Sequence, residues 1–544
     1  MTCGGGATGR SRTHAPDSWF LWSAIAGCLA ACLVASPAIA APSWLPPVNV
    51  PGVGKGAESP QVAVDSQGNA TAIWRRWSGE KHIIESAVRS VGRAWSVPAT
   101  LDVDAGGGGE SSQSPQVAVD PEGNATAVWE RRLDGRTFGI KSATRPAGGS
   151  WSAPVTIASR GRFNGRPRVV VDPKGNATAV WLWSLGESSV VQSATRPAGG
   201  SWSAPVDVST VGQAAFFFDV ALDPQGRATA VWEEESKGTI QSATRPAGGS
   251  WSAPVDISAA GAFAHSPQVA VDSQGNATAV WERYNPKGTL IQSAARPAGG
   301  SWSAPVSLFK PRRHAQHPQV TVGPQGDVTA IWERSNGSDL IVQSATRSAG
   351  GSWSAPVDIS GGDNSAGGDN LRLVVDSRGS ATAVWRAYDS NKQNYVIQAA
   401  TRPPGGVWSP PTDISNRTES VNGPQIAVDP QGNVTVVWVG SGGTHSATSV
   451  RGRAYAARVV RVRGGRASIA LRCEQGGRCG GVIRLKVGEK SIAARRFAIA
   501  EGSSKVIGVK LYPQGLRLLA ESRRPLLWAR LVGRGIKNRT VRLK

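Results

Sequence analysis

One fifteen-residue sequence motif, which we call the first line, recurs through the middle of this 544-residue chain and limits its possible folds more than any other feature. In one copy the line runs from Pro267 to Trp281, and its Trp returns at intervals of 49 to 55 residues. A second line, Gln241–Val255 in one copy, lies between successive copies of the first. Self-similarity at a period near 50 predicts one supersecondary unit per repeat, each packed against its neighbours. The Trp of the first line are Trp74, Trp129, Trp181, Trp232, Trp281, Trp332, Trp385 and Trp438, and those of the second begin with Trp95.

The two lines are out of phase at the ends of the repeat region. The last unit, after Trp438, lacks the second line, whereas Ser43–Val48 matches that line and Trp44 stands 51 residues before Trp95. We therefore expect the first residues of the mature chain to supply the last strand of the last unit. Completion of this kind suits a closed ring, because an open solenoid has whole units with atypical caps at its ends.

Each unit divides into four short segments rich in β-branched residues, with Gly-containing turns between the first and second and between the third and fourth. The Pro within the fourth segment is tolerated in an edge strand. Four strands in about 50 residues, repeated around a channel, is the β-propeller pattern. The sequence predicts an all-β chain, with an eight-bladed β-propeller over residues 41–450 followed by a small β-sandwich over 451–544.

The units resemble the repeats of bacterial sialidase-type propellers, whose Asp-box hairpin reads roughly Ser-x-Asp-x-Gly-x-x-Trp. Here Thr244–Trp251 occupies that turn, with Pro246 in place of the Asp. The resemblance covers about residues 43–450. It implies the architecture and does not bring an activity with it.

The connections between strands fall into two classes. The first-to-second and third-to-fourth turns barely change between units, while the second-to-third and fourth-to-next-first connections all differ, for example Arg75–Lys81 and Leu182–Ser189. In an up-and-down unit the two variable classes emerge on one face, which we call the variable face, and the two constant classes emerge on the opposite, constant face. Binding residues commonly lie on loops carried by a rigid scaffold, so we predict the ligand site on the variable face.

Several side chains on that face are candidates for ligand binding. The first-strand position that is Gln in five units becomes Arg168, Asp219 and Arg372 in the other three. Guanidinium groups suit carboxylate, sulfate or phosphate groups, although single loop charges are as often simply solvated. Trp77 and Trp183 are the candidate stacking platforms, because the other propeller Trp belong to the repeat lines and predict packing between units. The remaining candidates are Arg162 and Arg166 in one basic cluster, and Arg312, Arg313 and His317 in another.

Catalysis is not indicated by any recognisable motif. A sialidase-like site needs an Arg triad, a Tyr nucleophile with a Glu partner, and an Asp acid/base, and the propeller tyrosines lie outside any such context. The paired carboxylates Glu234 and Glu235 are more typical of a solvated loop than of a glycosidase pair. We find no metal, phosphate or nucleophile motif and predict no cofactor.

The N-terminus has the pattern of a secretory signal. Arg10 and Arg12 precede an apolar run from Trp19 to Val34, and Ala38–Ala40 gives a small-x-small cleavage site. We expect residues 1–40 to be removed and the mature protein to be secreted or held at the cell surface. Cys28 and Cys32 also lie in segments that resemble lipoprotein cleavage boxes, which leaves a lipidated N-terminus as the alternative.

Only two cysteines fall in the predicted mature chain, Cys473 and Cys479. A pair six positions apart in an exported protein predicts a local disulfide. A metal site would need further ligands, and no His lies nearby in the sequence.

The basic charge is concentrated at the C-terminus. Residues 451–544 hold 24 Lys and Arg against 4 Asp and Glu, a net of +20 out of +22 for the chain. Segments such as Val482–Val487 alternate apolar and basic residues, which predicts a half-buried sheet with a basic outer face. Such a domain could attach the protein to an anionic cell-wall polymer. Nucleic acid is not expected as a partner, because groove-reading motifs are absent and the protein is predicted to be exported.

These observations favour a secreted, monomeric, non-catalytic propeller that binds an extracellular glycan or protein through its variable face. A sialidase-like glycoside hydrolase and a structural envelope protein are the alternatives.

Overall fold

The computed structural model is nearly all β. It describes residues 43–50, 56–103, 112–133, 137–161, 163–185, 188–261, 263–286, 288–309, 314–361, 370–389, 393–416, 420–450, 454–456, 459–463, 465–473, 479–487, 490–499, 503–521, 527–532 and 539–543. The predicted signal segment, with Cys28 and Cys32, therefore lies outside the described residues. Within the described ranges no helix has the length and apolar character needed to span a membrane.

The described repeat residues form a series of antiparallel sheets, which we number 1 to 8 in chain order. Each pairs its strands in the order first, second, third, fourth, as the repeat predicts. The first strands are Ala57–Val64, Ser112–Val119, Phe163–Val171, Ala215–Leu222, Ala264–Val271, Ala315–Val322, Arg372–Val375 and Val421–Val428. The second strands are Ala70–Trp77, Ala125–Arg132, Ala177–Leu185, Ala228–Glu234, Ala277–Arg283, Val328–Ser335, Ala381–Asp389 and Val434–Gly440.

The third strands are His82–Arg89, Phe138–Arg145, Ser188–Arg196, Thr239–Arg245, Leu290–Arg296, Leu340–Arg347, Asn394–Arg402 and Gly443–Val450. The fourth strands of sheets 1 to 7 are Ala99–Val103, Val155–Gly161, Val206–Asp207, Val255–Asp256, Val306–Ser307, Val357–Asp358 and Thr412–Asp413. Most fourth strands are only two residues long, which leaves little unpaired backbone at the edge of each sheet. Repeated four-stranded antiparallel sheets are consistent with the predicted propeller.

Sheet 8 is completed by the start of the described chain. Ser43–Trp44 pairs with Val450 and Ser449, and Val48–Asn49 pairs with Ser446 and His445, all in antiparallel register. The pairing predicted from the phase of the repeat is therefore present. It joins sequence positions about 400 residues apart within one sheet.

The constant first-to-second turn is held by its Asp. In sheet 3, Asp172 Oδ1 accepts hydrogen bonds from the backbone N–H groups of Lys174 and Asn176, and Asp172 Oδ2 accepts one from Asn176 Nδ2. Gly175 between them has φ +84°, a conformation that favours glycine. This arrangement explains why the Asp-Pro-x-Gly-Asn sequence varies so little.

Neighbouring sheets share apolar cores built around the Trp of the first line, all eight of which are at most 1% exposed. Trp232 of sheet 4, for example, packs with Val180 and Val191 of sheet 3. The equivalent core around Trp74 of sheet 1 includes Val437 of sheet 8. These Trp are packing residues, as the sequence predicts.

Polar contacts repeat beside these cores. The Arg that ends a third strand donates from Nη2 to a Thr Oγ1 in the preceding sheet, and its guanidinium lies 5.1 to 5.7 Å from the centroid of the Trp of the second line. The pairs within sheets 1 to 7 are Arg145–Thr71, Arg196–Thr126, Arg245–Thr178, Arg296–Thr229, Arg347–Thr278 and Arg402–Thr329.

The C-terminal region has its own core and a predominantly β structure. Its strands are Ala454–Ala456, Val459–Arg463, Arg466–Cys473, Cys479–Val487, Lys490–Ile499, Ser504–Lys510, Leu527–Val532 and Arg539–Leu543, and its helix is Pro513–Glu521. Ile483 and Leu485 are buried while Arg484 between them is exposed, so the predicted alternation is confirmed in this strand. Cys473 is buried at the end of one strand, but the side chain of Cys479 lies outside the described residues, and the disulfide stays a prediction.

Candidate functional site

The first strands carry a repeated irregularity at their variable-face ends. In sheet 5 the register shifts between His265 and Gln268, and Ser266 within the shift has φ +53°. A non-glycine residue with positive φ is uncommon, and a β-bulge of this kind redirects the side chains around it. The residues at this position with positive φ are Ser59, Ser114, Arg166, Phe217, Ser266, His317 and Gly423.

In sheets 3 and 4 the bulge places an Arg beside an aromatic ring. Arg166 is exposed, and its guanidinium carbon lies 4.5 Å from the ring centroid of Phe217, which is 43% exposed. Two residues further along each strand are Arg168 and Asp219. Burial raises the pKa of the Asp219 carboxyl, while the nearby Arg168 charge and hydrogen bonds from the Val269 and Val220 backbone N–H groups oppose that rise. The Val269 N–H donates to Asp219 Oδ2 over 3.1 Å, which links sheets 4 and 5.

Sheets 4 and 5 share a buried carboxyl bonded to a partly exposed imidazole. Glu233 follows the buried Trp232 and is 6% exposed, and its Oε1 lies 2.8 Å from Nδ1 of His265. The His265 side chain is 45% exposed. Burial raises the pKa of Glu233, and the charge and hydrogen bond of His265 work against the rise. A buried carboxyl that holds one ring nitrogen fixes the orientation of an imidazole.

A related arrangement lies between sheets 5 and 6, where the imidazole of His317 contacts a glutamate of its own sheet. The backbone N–H of His317 donates to Glu282 Oε1 over 2.8 Å, and His317 Nδ1 lies 3.0 Å from Oε2 of the buried Glu333. Burial raises the pKa of Glu282. The hydrogen bond from the His317 N–H and the charges of His317 and His265 oppose that rise. We call Glu233, His265, Glu282, His317 and Glu333 the Glu–His row.

The Glu–His row lies on the variable face. Its glutamates occupy the ends of second strands and its histidines the beginnings of first strands, and both positions adjoin variable connections in the chain. Phe263 and Tyr284 next to it are 60% and 53% exposed, and the Tyr284 N–H donates to the Phe263 carbonyl over 3.1 Å. The row thus combines oriented polar groups with exposed aromatic rings.

The residues predicted from sequence are distributed over several sheets. Arg166, Arg168 and Asp219 come together in sheets 3 and 4, and His317 belongs to the Glu–His row. Arg372 donates from Nε to Gln425 Oε1 over 3.0 Å, between sheets 7 and 8. Arg162, Arg312 and Arg313 lie outside the described residues.

Two aromatic predictions need correction in their location. Trp77 and Trp183 lie within the second strands Ala70–Trp77 and Ala177–Leu185, not on loops. Those strands continue to pair with the third strands past the Trp that ends the repeated sequence. Trp77 is 39% exposed and contacts the His82 ring at 4.7 Å between centroids, while Trp183 packs against the core between sheets 2 and 3.

The sequence interpretation missed four members of the row, namely His265 and the three glutamates. Glu233, Glu282 and Glu333 each follow the repeat Trp directly, as Glu130 does, and that recurrence is the signal that could have found them. Glu234, expected to be solvated, is fully buried and accepts a 2.8 Å hydrogen bond from the Lys237 N–H, so it holds the following turn. The expectation was wrong because the strand extends to Glu234.

The constant face has a different character. A cavity of about 370 Å³ is lined by the ends of first strands and by the turns after them, including Asp65, Asp120 and Asp429. Each of these carboxylates accepts hydrogen bonds from an Asn of its own turn. Among the described residues, no group of three or more His, Cys, Asp or Glu is placed to hold a metal ion.

Comparison with known proteins gives no family. No family model matches the chain, and no curated protein matches it. Among solved structures, the chain is similar to an ulvan lyase, a polysaccharide lyase, at 9% identity and a TM-score of 0.45, covering 73% of this chain and 95% of that one.

Two further solved structures are similar at the same level. The β-propeller domain of the Trilobed protease from Pyrococcus furiosus has 8% identity and a TM-score of 0.40, over 67% of this chain and 97% of that one. The NanB sialidase from Streptococcus pneumoniae has 10% identity and a TM-score of 0.35, over 70% and 84%.

Proposed function

We propose that this protein is an exported, eight-bladed β-propeller that binds an extracellular glycan on its variable face. The Glu–His row beside exposed aromatic rings carries the proposal. Carboxylates and imidazoles held in fixed orientations can bond to sugar hydroxyls, and the faces of Phe263 and Tyr284 can stack on sugar rings.

Closure of the eight sheets into a ring is supported by the contacts between sheets 8 and 1. The core around Trp74 includes Val437, and Arg89 of sheet 1 bonds to Thr435 of sheet 8 with the geometry found between the other sheets. A closed ring gives the rigid scaffold on which variable connections can hold a ligand.

A glycan array with the full chain tests the proposal. We expect binding to at least one glycan class, and a loss of about tenfold or more in the variants His265→Ala and Tyr284→Ala, because each removes a group that would contact the sugar. Gln274→Ala, at an exposed turn of the constant face, is the control and should bind normally. An array without binding, or equal effects of all three variants, would contradict the proposal; the first result would favour a structural envelope protein.

A glycoside hydrolase is the second candidate, because the raised pKa of Glu233 and Glu282 is a property of catalytic acids. A panel of fluorogenic glycosides separates the two functions. Turnover that is lost in both Glu233→Gln and Glu282→Gln would indicate a hydrolase, whereas glycan binding without turnover supports the binding function.

We propose that the C-terminal region is a small β-sandwich, pinned by a Cys473–Cys479 disulfide, that attaches the protein to an anionic wall polymer. The proposal is supported by the exposure of Arg463, Arg466, Arg484, Arg495, Arg496, Lys505 and Lys510 outside a common apolar core. Clustered, exposed positive charge attracts polyanions through electrostatics that salt weakens.

A further inference from the structure

The first strands place one side chain of each sheet at a common level, which follows the bulge in the seven sheets where a bulge is described. Each of these residues pairs with the Val or Ile that precedes the repeat Trp in the second strand. We call this set the collar: Gln61, Gln116, Arg168, Asp219, Gln268, Gln319, Arg372 and Gln425.

The collar lines the centre of the proposed ring. The first strands of successive sheets contact one another, and the first strand of sheet 8 contacts that of sheet 1. Members of the collar also interact across sheets, since Arg372 donates to Gln425 and the charge of Arg168 acts on Asp219. Apart from the exposed Arg168, the collar side chains are half-buried.

The two arginines of the collar are opposite each other in this arrangement. Sheets 3 and 7 are four positions apart in either direction around a ring of eight, so Arg168 and Arg372 approach the channel from facing sides. The amides of Gln268 and Gln319 are turned back onto the carbonyls of Pro267 and Pro318, at 3.0 and 3.1 Å. The collar therefore carries two guanidinium groups among side chains that are mostly neutral amides, and that of Arg372 is oriented by hydrogen bonds to Gln425 and to the Leu371 carbonyl.

We propose that the collar is an oxyanion subsite, whose Arg168 and Arg372 take carboxylate or sulfate groups of the bound glycan. This inference rests on the proposed function, because it names the chemical class of ligand for the same face. Planar guanidinium groups bond to oxyanions with two parallel N–H donors, and a setting with few competing charges strengthens that attraction. Asp219 opposes it as the one acidic member of the collar.

The repeat itself supplies variants suited to a test. Five sheets carry Gln at this level, so Arg168→Gln and Arg372→Gln restore the residue that the fold already accepts. Arg227→Asn is the matched control: it also removes one positive charge and restores the usual repeat residue, but in the constant turn, where Arg227 bonds to Asp223 and to the Gln274 carbonyl. All variants retain the basic C-terminal region, so its contribution to anion binding is the same in each.

The experiment measures binding of the full chain to tetragalacturonate, to its neutral methyl ester and to a sulfated tetrasaccharide. We expect one or both acidic probes to bind more tightly than the ester, and Arg168→Gln and Arg372→Gln to weaken that binding by about tenfold each. Arg227→Asn should change the affinity for the acidic probe less than twofold, about the effect of losing one weak surface contact. Asp219→Gln should tighten it, an effect that general damage to the fold would not produce. The preferred acidic probe distinguishes a carboxylate from a sulfate.

A second arm uses inorganic sulfate at constant ionic strength and needs no glycan. Sulfate should raise the thermal unfolding midpoint more in Arg227→Asn than in Arg168→Gln or Arg372→Gln. If this difference appears while no oligosaccharide binds, the collar stands and the glycan proposal fails. If oligosaccharides bind but all three Arg variants behave alike in both arms, the collar inference is overturned and the glycan proposal stands. If no oligosaccharide binds and sulfate stabilises all three Arg variants equally, both proposals are overturned.

Discussion

Arg89 Nη2 donates a 2.8 Å hydrogen bond to Thr435 Oγ1, and this contact joins sheet 1 to sheet 8. Six equivalent bonds join the sheets in between, each from the last Arg of a third strand to a Thr near the start of a second strand. At the interface of sheets 7 and 8 the Arg position is occupied by Ser449, and the corresponding Thr of sheet 7 is Thr382. The Arg–Thr bond between sheets 1 and 8 thus repeats the bonds between successive sheets. The interface of sheets 7 and 8 is formed without such a bond.

Thr435→Val should destabilise the protein, because it removes the acceptor of a guanidinium N–H in a largely buried interface. The expected loss is roughly 1–3 kcal/mol, measured as a lower midpoint of urea-induced unfolding. Thr382→Val is the matched control, at the same position of a sheet that receives no such Arg, and should cost less. Equal losses in the two variants would show that the Arg–Thr bond does not stabilise the closing interface.

Asp172→Ala should destabilise the constant turn of sheet 3. Asp172 accepts three hydrogen bonds within five residues, and their loss is expected to cost about 2–4 kcal/mol, somewhat less than three separate bonds would suggest. Sheet 6 carries Gly323 at this position and still forms the turn, so we expect a folded variant with a lower thermal midpoint. An unchanged midpoint would mean that the glycine conformation alone maintains the turn.

Much of this architecture could be predicted from the sequence, since strand alternation and turn glycines act over a few residues. The phase of Trp44 relative to Trp95 even predicts the long-range pairing in sheet 8. The Glu–His row could not be predicted in the same way, because it depends on bulges that bring His265 and His317 to glutamates of adjacent strands and sheets. Glu234 and Glu235 look like a solvated pair until the extent of the strand that buries Glu234 is known.

Glu282 should make stability depend on pH. Its pKa in the folded state is raised by burial above the ordinary value of 4.5, so its stabilising contribution is present below that value and is lost as the pH rises through the raised pKa. Glu282→Gln is neutral throughout and should therefore gain stability relative to the wild type as the pH increases from about 4 to about 8. Urea midpoints across this range check the sign.

Glu122→Gln is the control for that series. Glu122 is exposed in a constant turn where other repeats carry Gln, and the substitution should leave the pH profile close to that of the wild type. If the urea midpoints of Glu282→Gln and the wild type change in parallel with pH, burial does not raise the pKa of Glu282 as assigned.

The C-terminal region should bind isolated cell walls with a steep dependence on salt. Arg484→Gln, Arg495→Gln and Arg496→Gln combined should weaken binding and flatten that dependence, because three exposed positive charges are removed. The control combines Lys174→Gln, Arg227→Asn and Arg378→Gln, which remove the same charge at constant turns and restore common repeat residues. Binding that salt does not change, or an equal effect of both triple variants, would argue against electrostatic attachment through this region.

Hydrogen–deuterium exchange of the full chain, with and without the glycan that binds most tightly, tests the central claim most directly. We expect slower exchange in the variable-face segments 233–238 and 282–289 and at the bulges around Arg166 and His317, with the constant turns such as 272–276 unchanged. Protection confined to the constant turns, or absent from the variable face while the glycan is bound, would contradict it.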